Sequence, residues 1–158
     1  MHSRSILPLT LLPLLLATGC GTTEYRKATA EREQARIAIA GEAPGDYYIG
    51  RRYYKQDYKF WGWVRRPQQP WSTAQMVMMN EQEKLAPDRA QNTLGSDNNY
   101  EYKLIGSFTG QTVYEPASNG FYPEFGLKGY ELINVAPPNI YKTPGATDPA
   151  RRVIAKPE

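Results

Sequence analysis

Alternating apolar and polar residues divide positions 47–133 into short segments typical of β-strands. The clearest alternation spans 99–110, where Tyr102, Leu104 and Phe108 share one face of the predicted strand. The other strands are predicted at 47–54, 58–66, 72–80, 112–115 and 121–133. Five or six short strands joined by glycine-containing turns predict a mainly β fold, a small antiparallel barrel of the OB-like or SH3-like type. A β-sandwich is the alternative that the same pattern allows.

Two segments of different character flank the predicted barrel domain, 47–134. Within residues 20–46, the stretch 21–40 is rich in Ala, Glu, Arg and Gln, which favour helix, but it shows only a weak apolar stripe. We therefore expect a solvated helical tether that ends at the breaker cluster 41–46. Residues 135–158 are rich in proline and predict an extended, mobile tail.

The first residues have the pattern of an export signal. Arg4 precedes an apolar run at 6–16, which is shorter than the roughly 20 apolar residues that a spanning helix needs. Small residues follow directly, as at the cleavage point of a secretory signal. With Cys20 directly after Gly19, the segment 7–20 resembles the lipobox of bacterial lipoproteins, although Ala17 stands where that family prefers leucine.

This resemblance implies that residues 1–19 are a signal peptide removed on export and that Cys20 carries a diacylglycerol. Two or more acyl chains hold a protein stably on a membrane. The resemblance thus implies a membrane-anchored protein of the cell envelope. Gly21 stands where an inner-membrane retention signal has aspartate, which favours the outer membrane in a Gram-negative host. The alternative is a plain signal peptide in which Cys20 merely lies near the cut.

Two residue types restrict the possible chemistry. His2 is the single histidine and Cys20 the single cysteine. A mature chain beginning with lipidated Cys20 has neither a histidine nor a free thiol, which excludes cysteine nucleophiles, Ser-His-Asp relays and His- or Cys-based metal sites. Glycine-rich phosphate-binding motifs are also missing from the sequence. We expect no cofactor and no metal, and the dispersed net charge of +3 predicts no nucleic-acid partner.

The stretch 47–71 concentrates aromatic and basic residues. Nine of its residues are aromatic, and it contains two arginine pairs. In the predicted second strand, Trp61, Trp63 and Arg65 lie on the face opposite Phe60 and Val64. Because both faces are apolar, the second must be covered by another segment, a partner or a ligand. The candidate binding residues are Arg51, Trp61, Trp63, Arg65, Trp71 and Tyr122.

Aromatic rings interleaved with cations suit sugar rings or a protein surface, and the alternative is that they form the core and rim of the barrel. The sequence therefore predicts a non-catalytic envelope lipoprotein, a structural or binding module for a protein partner or for peptidoglycan or polysaccharide. The second hypothesis is a small cell-wall hydrolase. Its paired acids would be Glu115 and Glu124, which flank one turn as the two carboxylates of glycosidases flank their substrate.

Overall fold

The computed structural model describes residues 20–158, so the predicted signal segment 1–19 lies outside the described residues. A long helix precedes five strands, with short helical turns between them. The elements are α1 (Cys20–Ala40), β1 (Tyr48–Arg52), β2 (Gly62–Arg65), a 3₁₀ turn (Trp71–Thr73), β3 (Gln75–Asn80), α2 (Pro87–Ala90), β4 (Glu101–Glu115) and β5 (Gly120–Asn134). The short helix α2 begins at Pro87, which occupies the favourable first helical position.

The five strands close into a barrel in the order β1-β2-β3-β5-β4. All neighbours are antiparallel except β3 and β5, which run parallel with Met79 opposite Phe125. The predicted small barrel preceded by a helix is confirmed, with one parallel pair in place of a fully antiparallel sheet. This strand order is that of OB-like barrels rather than of SH3-like barrels or sandwiches.

β4 and β5 form one long hairpin that bends around the barrel. The break predicted at 110–111 is a bulge inside a continuous strand of 15 residues, and the register shifts between Phe108 and Thr112. Gly110 has a φ of +84°, a backbone conformation that glycine adopts without steric cost. The hairpin tip, 115–120, lies beside the loop that joins β1 to β2, since the Glu115 carboxylate accepts a hydrogen bond from the Lys59 amide.

Two apolar clusters lie on opposite faces of the same strands. The interior of the barrel is the first cluster, formed by Tyr48, Trp61, Val64, Val77, Ala86, Tyr102, Leu104, Phe125 and Leu127. The outer cluster covers the outside of β1, β2 and β3 and consists of Ile49, Tyr53, Phe60, Trp63, Trp71, Ala74, Met76, Ile140, Tyr141, Ala146 and Ala155. Both faces are covered, so every residue of strands β1 and β2 is buried, including their arginines.

The C-terminal segment, 135–158, supplies the cover of the outer cluster. Ile140 and Tyr141 are each only 2% exposed, and the Tyr53 hydroxyl donates to the Val153 carbonyl (3.0 Å). The buried Lys55 ammonium donates to two carbonyls of the segment, those of Ala146 and Asp148. Backbone hydrogen bonds from Ala146 to Thr143 and from Asp148 to Gly145 form turns in the segment, and its apolar residues pack against the barrel, so it is not the extended, free tail that the sequence predicted.

Helix α1 contacts the barrel through its second half. Ala35 and Ile39 pack against the outer cluster, and Glu42, just beyond the helix, forms an ion pair with Arg65 (2.5 Å). Tyr25 in the first half is 70% exposed. The 21 residues of α1 span about 31 Å at 1.5 Å per residue. With its first half exposed, the helix extends away from the barrel as a stalk.

Candidate ligand-binding site

A cavity of about 540 Å³ lies at one end of the barrel, between the β1–β2 loop, the end of β3 and α2. This volume is within the range of small-molecule sites in proteins. We call it the barrel-end cavity, and it is lined by Arg52, Tyr54, Gln56, Tyr58, Lys59, Phe60, Trp61, Met79, Glu81, Asp88, Arg89, Asn92 and Leu94. Aromatic rings and charged groups therefore share its walls.

Arg52 is the central charge beneath this cavity. Its guanidinium is buried and pairs with Asp88 (3.0 Å) and Asp97 (3.5 Å). Burial alone would raise the pKa of Asp88, but Arg52 and the Gly95 amide lower it below its ordinary value. Burial and the neighbouring Asp88 carboxylate instead raise the pKa of Asp97, which accepts a hydrogen bond from the Tyr102 hydroxyl. The two carboxylates more than offset the single charge of Arg52, so Arg52 adds no positive charge to the cavity.

Two buried polar atoms of the lining have no hydrogen-bond partner in the described part of the chain. They are the indole Nε1 of Trp61 and the Oε2 of Glu81. Burial raises the pKa of Glu81, an effect that Arg89, 3.5 Å away, offsets in part. Unpaired buried atoms also occur on the covered outer face, at Trp63, Arg65 and Tyr141, so they do not by themselves mark a binding site.

Trp61 reaches the cavity from inside the barrel. The far edge of its six-membered ring lies over Gly50, where a Cβ would collide with both Trp61 and Leu104. Its amide donates to the Val77 carbonyl (2.9 Å), which fixes the residue against β3 just before β2 begins. The indole is thus held rigidly between the interior core and the cavity.

The other five predicted site residues lie on the outer face of the barrel and are covered. Arg51, Trp63, Arg65 and Trp71 are at most 7% exposed, and the ring of Tyr122 packs on Phe60, 5.7 Å between centroids. The sequence pattern placed Trp61 and Trp63 on one face. The structure instead assigns Trp61 to the interior and Trp63 to the outer cluster, because regular strand geometry begins only at Gly62.

Trp71 organises the covered face. The guanidinium carbons of Arg51 and Arg65 lie 5.1 Å and 4.4 Å from its ring centroid, a cation–π arrangement. Arg51 also pairs with Glu101 and donates to the Pro138 carbonyl of the C-terminal segment (3.1 Å). These cations have partners inside the chain, so the face is packed within the protein.

A second, mostly apolar groove of about 440 Å³ lies between α1 and the barrel. Ala35 and Ile39 of the helix form one wall, and Pro70, Trp71 and Ile140 form the other. Trp71 is thus the second predicted site residue that borders open space. Unlike the barrel-end cavity, this groove contains none of the unpaired buried atoms described above.

The two carboxylates of the hydrolase hypothesis have different environments. Glu115 is buried and accepts hydrogen bonds from the amides of Lys59, Ala117 and Ser118. Burial alone would raise the pKa of Glu115, but these bonds lower it, which is unfavourable for a general acid. Gly120 is the cross-strand partner of Glu115, and Glu124 lies four residues farther along β5. At 3.3 Å per residue, the backbone positions of Glu115 and Glu124 are therefore about 13 Å apart along the strands. Paired glycosidase acids are about 5 to 9.5 Å apart.

Sequence reasoning missed most of the barrel-end cavity, including Arg52, Glu81 and Asp88. The sequence does not show that these residues are neighbours, because they are far apart along the chain; Arg52 and Asp88 are separated by 36 positions. One available signal was Arg52 itself, because a cation inside a predicted apolar strand requires a buried acidic partner. A second available signal was the adjacent apolar pair Ile140 and Tyr141 in the C-terminal segment, which indicates that this segment packs against the barrel.

The comparisons with known proteins give no relative: no family model, no curated protein and no solved structure matches this chain. Among residues 20–158, no helix has the length and apolar character needed to cross a membrane. The same part of the chain contains no group of three or more His, Cys, Asp or Glu side chains placed to hold a metal ion.

Proposed function

We propose that this chain is a non-catalytic lipoprotein of the cell envelope, anchored through lipid on Cys20. On this proposal the barrel is a binding module for cell-wall glycan or for a protein partner. The stalk is the observation that carries the proposal. Cys20, the predicted lipidation site, lies in helix α1, and Thr23 to Lys27 of that helix are exposed. In a Gram-negative host the membrane would be the outer membrane.

The stalk supports anchoring through its position and its surface. A lipidated Cys20 would place the acyl chains at one end of a helix about 31 Å long, with the barrel packed against the other end. The helix is weakly amphipathic and its first half buries little apolar surface, so it suits a spacer more than a folded core element. The barrel would then be held clear of the lipid headgroups.

The binding role moves from the covered outer face to the barrel-end cavity. The C-terminal segment covers the predicted aromatic and basic residues of the outer face. Trp61 alone among the six lines the barrel-end cavity, together with further aromatic rings. The proposed function thus remains binding of glycan or protein, as the sequence predicts, but through the barrel-end cavity in place of the outer face.

Metabolic labelling tests the anchor. Cells supplied with a labelled fatty acid should incorporate it into the wild-type chain, which should fractionate with membranes. Cys20→Ala should remain unlabelled, and Thr23→Ala, an exposed change in the same helix, should label normally. Equal labelling of the wild type and Cys20→Ala would overturn the anchoring proposal.

The hydrolase remains the second candidate, and the positions of its two acids disfavour it. Its test is incubation of residues 20–158, carrying Cys20→Ala, with purified sacculi, followed by analysis of released sugar fragments. We expect no release. Release that disappears in Glu124→Gln would establish the hydrolase and reject the binding module.

A further inference from the structure

We infer that one face of the β4–β5 hairpin binds an uncharged glycan chain. The binding part is the hairpin arm, which we define as residues 112–115 of β4 paired with residues 120–123 of β5, beyond the bulge. None of these residues lines the barrel-end cavity. The inference therefore goes beyond the proposed role of that cavity and does not depend on it.

The two faces of the hairpin arm have different environments. Side chains alternate between the faces, so the cross-strand pair Val113 and Tyr122 lies on one face. The neighbouring pair, Tyr114 and Phe121, lies on the other. The first face is covered, because the Tyr122 ring packs on Phe60 with 5.7 Å between centroids. The second face is open to solvent, since Tyr114 is 47% exposed and Phe121 is 71% exposed.

The two open rings are held in a defined position. They contact each other with 5.1 Å between centroids and an angle of 45° between their planes. The Tyr114 hydroxyl donates a hydrogen bond to the Asn119 Oδ1 (2.9 Å). The turn that joins the two strands is fixed in its own right, because the Glu115 carboxylate accepts hydrogen bonds from the amides of Ala117 and Ser118. Ordered aromatic side chains bind with little loss of conformational entropy.

The open face is too small for a stable protein interface and suits a sugar chain. At roughly 200 Å² per aromatic side chain, the exposed fractions of Tyr114 and Phe121 leave about 240 Å² open. A standard protein–protein interface buries about 800 Å² on each partner. Pyranose rings are small and have flat C–H surfaces that pack on aromatic rings, so one or two sugar units would cover this face.

The groups around the two rings are polar and uncharged. Glu115 is the one charged residue at positions 112–123, and it is buried. Thr112 is exposed on the same face as Tyr114. Asn119 is also exposed, and because its Oδ1 accepts the Tyr114 hydroxyl, both N–H donors of its amide are available to a ligand. Hydroxyl and acetamido groups of a neutral glycan can pair with these groups, whereas a charged ligand would find no opposite charge on the arm.

An NMR titration tests the inference. The protein is ¹⁵N-labelled residues 20–158 with Cys20→Ala, and the probe is chitotetraose, an uncharged chain of N-acetylglucosamine. We expect saturable shifts of the backbone amides at 117–122. Because contact through two rings is weak, this face alone should not hold the protein on sacculi. Shifts at Asn92 and Leu94 of the barrel-end cavity, without shifts at 117–122, would overturn the inference and support the proposed role of the cavity.

Matched variants locate the contact. Phe121→Ala should weaken chitotetraose binding at least tenfold, and unchanged amide resonances outside the arm would show that its fold is intact. Tyr25→Ala removes a ring of nearly equal exposure, 70%, from the stalk and should bind as the parent chain does. Absence of saturable shifts in the parent, equal affinity of Phe121→Ala and the parent, or an equal loss in Tyr25→Ala would overturn the inference. Shifts at 117–122 that depend on protein concentration without sugar would overturn it in favour of a second copy of the chain.

Discussion

Buried cations explain why the aromatic and basic stretch packs inside the protein. Arg51, Arg52 and Arg65 are each at most 4% exposed, and each has a carboxylate partner. Those partners lie between 23 and 50 positions away along the chain. Breaking such a pair is costly because the remaining charge stays buried without compensation.

Removal of Arg52 tests this view of the barrel end. Arg52→Met leaves Asp88 and Asp97 buried without their cation, and we expect the free energy of unfolding to fall by about 3–5 kcal/mol. Urea denaturation measures the change. Arg152→Gln breaks the exposed pair with Asp57 and should have little effect. Equal stability of Arg52→Met and the wild type would contradict the assigned pairing.

Glu115 should give the barrel an acid-dependent stability. Its pKa in the folded state is below the ordinary value, so its contribution is complete above that ordinary value, about 4.3. The contribution is lost as the pH falls through the lowered folded-state pKa. We expect Glu115→Gln to flatten the acid limb of unfolding free energy against pH. Glu83→Gln, an exposed change of the same kind, should leave that limb as in the wild type. Identical acid limbs in Glu115→Gln and the wild type would be inconsistent with this role.

The C-terminal segment is the element whose role differs most from its sequence pattern. Five prolines predict an unpacked chain, yet the segment buries Ile140 and Tyr141 against the outside of the barrel. Proline removes backbone donors and prevents regular strands, but it does not prevent apolar side chains from packing. The segment therefore functions as the second layer over β1, β2 and β3.

Two truncations within the segment measure this packing. Tyr141→Ala removes a ring that is 2% exposed and should lower the free energy of unfolding by about 3–5 kcal/mol. Ile154→Ala changes a side chain that is 38% exposed and should have a much smaller effect. The comparison uses urea denaturation under identical conditions. Similar, small effects of both truncations would show that the segment is not packed in solution.

The sequence predicted the strands better than their assembly. Alternation at Tyr102, Leu104 and Phe108 correctly indicated β4, because side-chain period is a local property. The parallel pairing of β3 with β5 depends on contacts between residues about 46 positions apart, and local pattern does not specify it. The cavity was hidden for the same reason, since its walls come from three separate segments.

At the scale of the whole molecule, the proposed anchor, the stalk and the barrel form one arrangement. Lipid at Cys20 would confine the protein to a membrane surface, and α1 would separate that surface from the binding module. The C-terminal segment covers the outer aromatic face of the barrel. We therefore propose the barrel-end cavity as the surface that contacts the envelope.

Co-sedimentation with purified sacculi tests this central claim most directly. Residues 20–158 with Cys20→Ala are compared with the same chain carrying either Trp61→Phe or Trp63→Phe. The two substitutions are chemically identical, but Trp61 lines the cavity and Trp63 belongs to the covered outer cluster. We predict that the parent chain and Trp63→Phe sediment with sacculi, whereas folded Trp61→Phe stays largely in solution. Failure of the folded parent chain to sediment, or an equal loss in Trp63→Phe, would contradict the account.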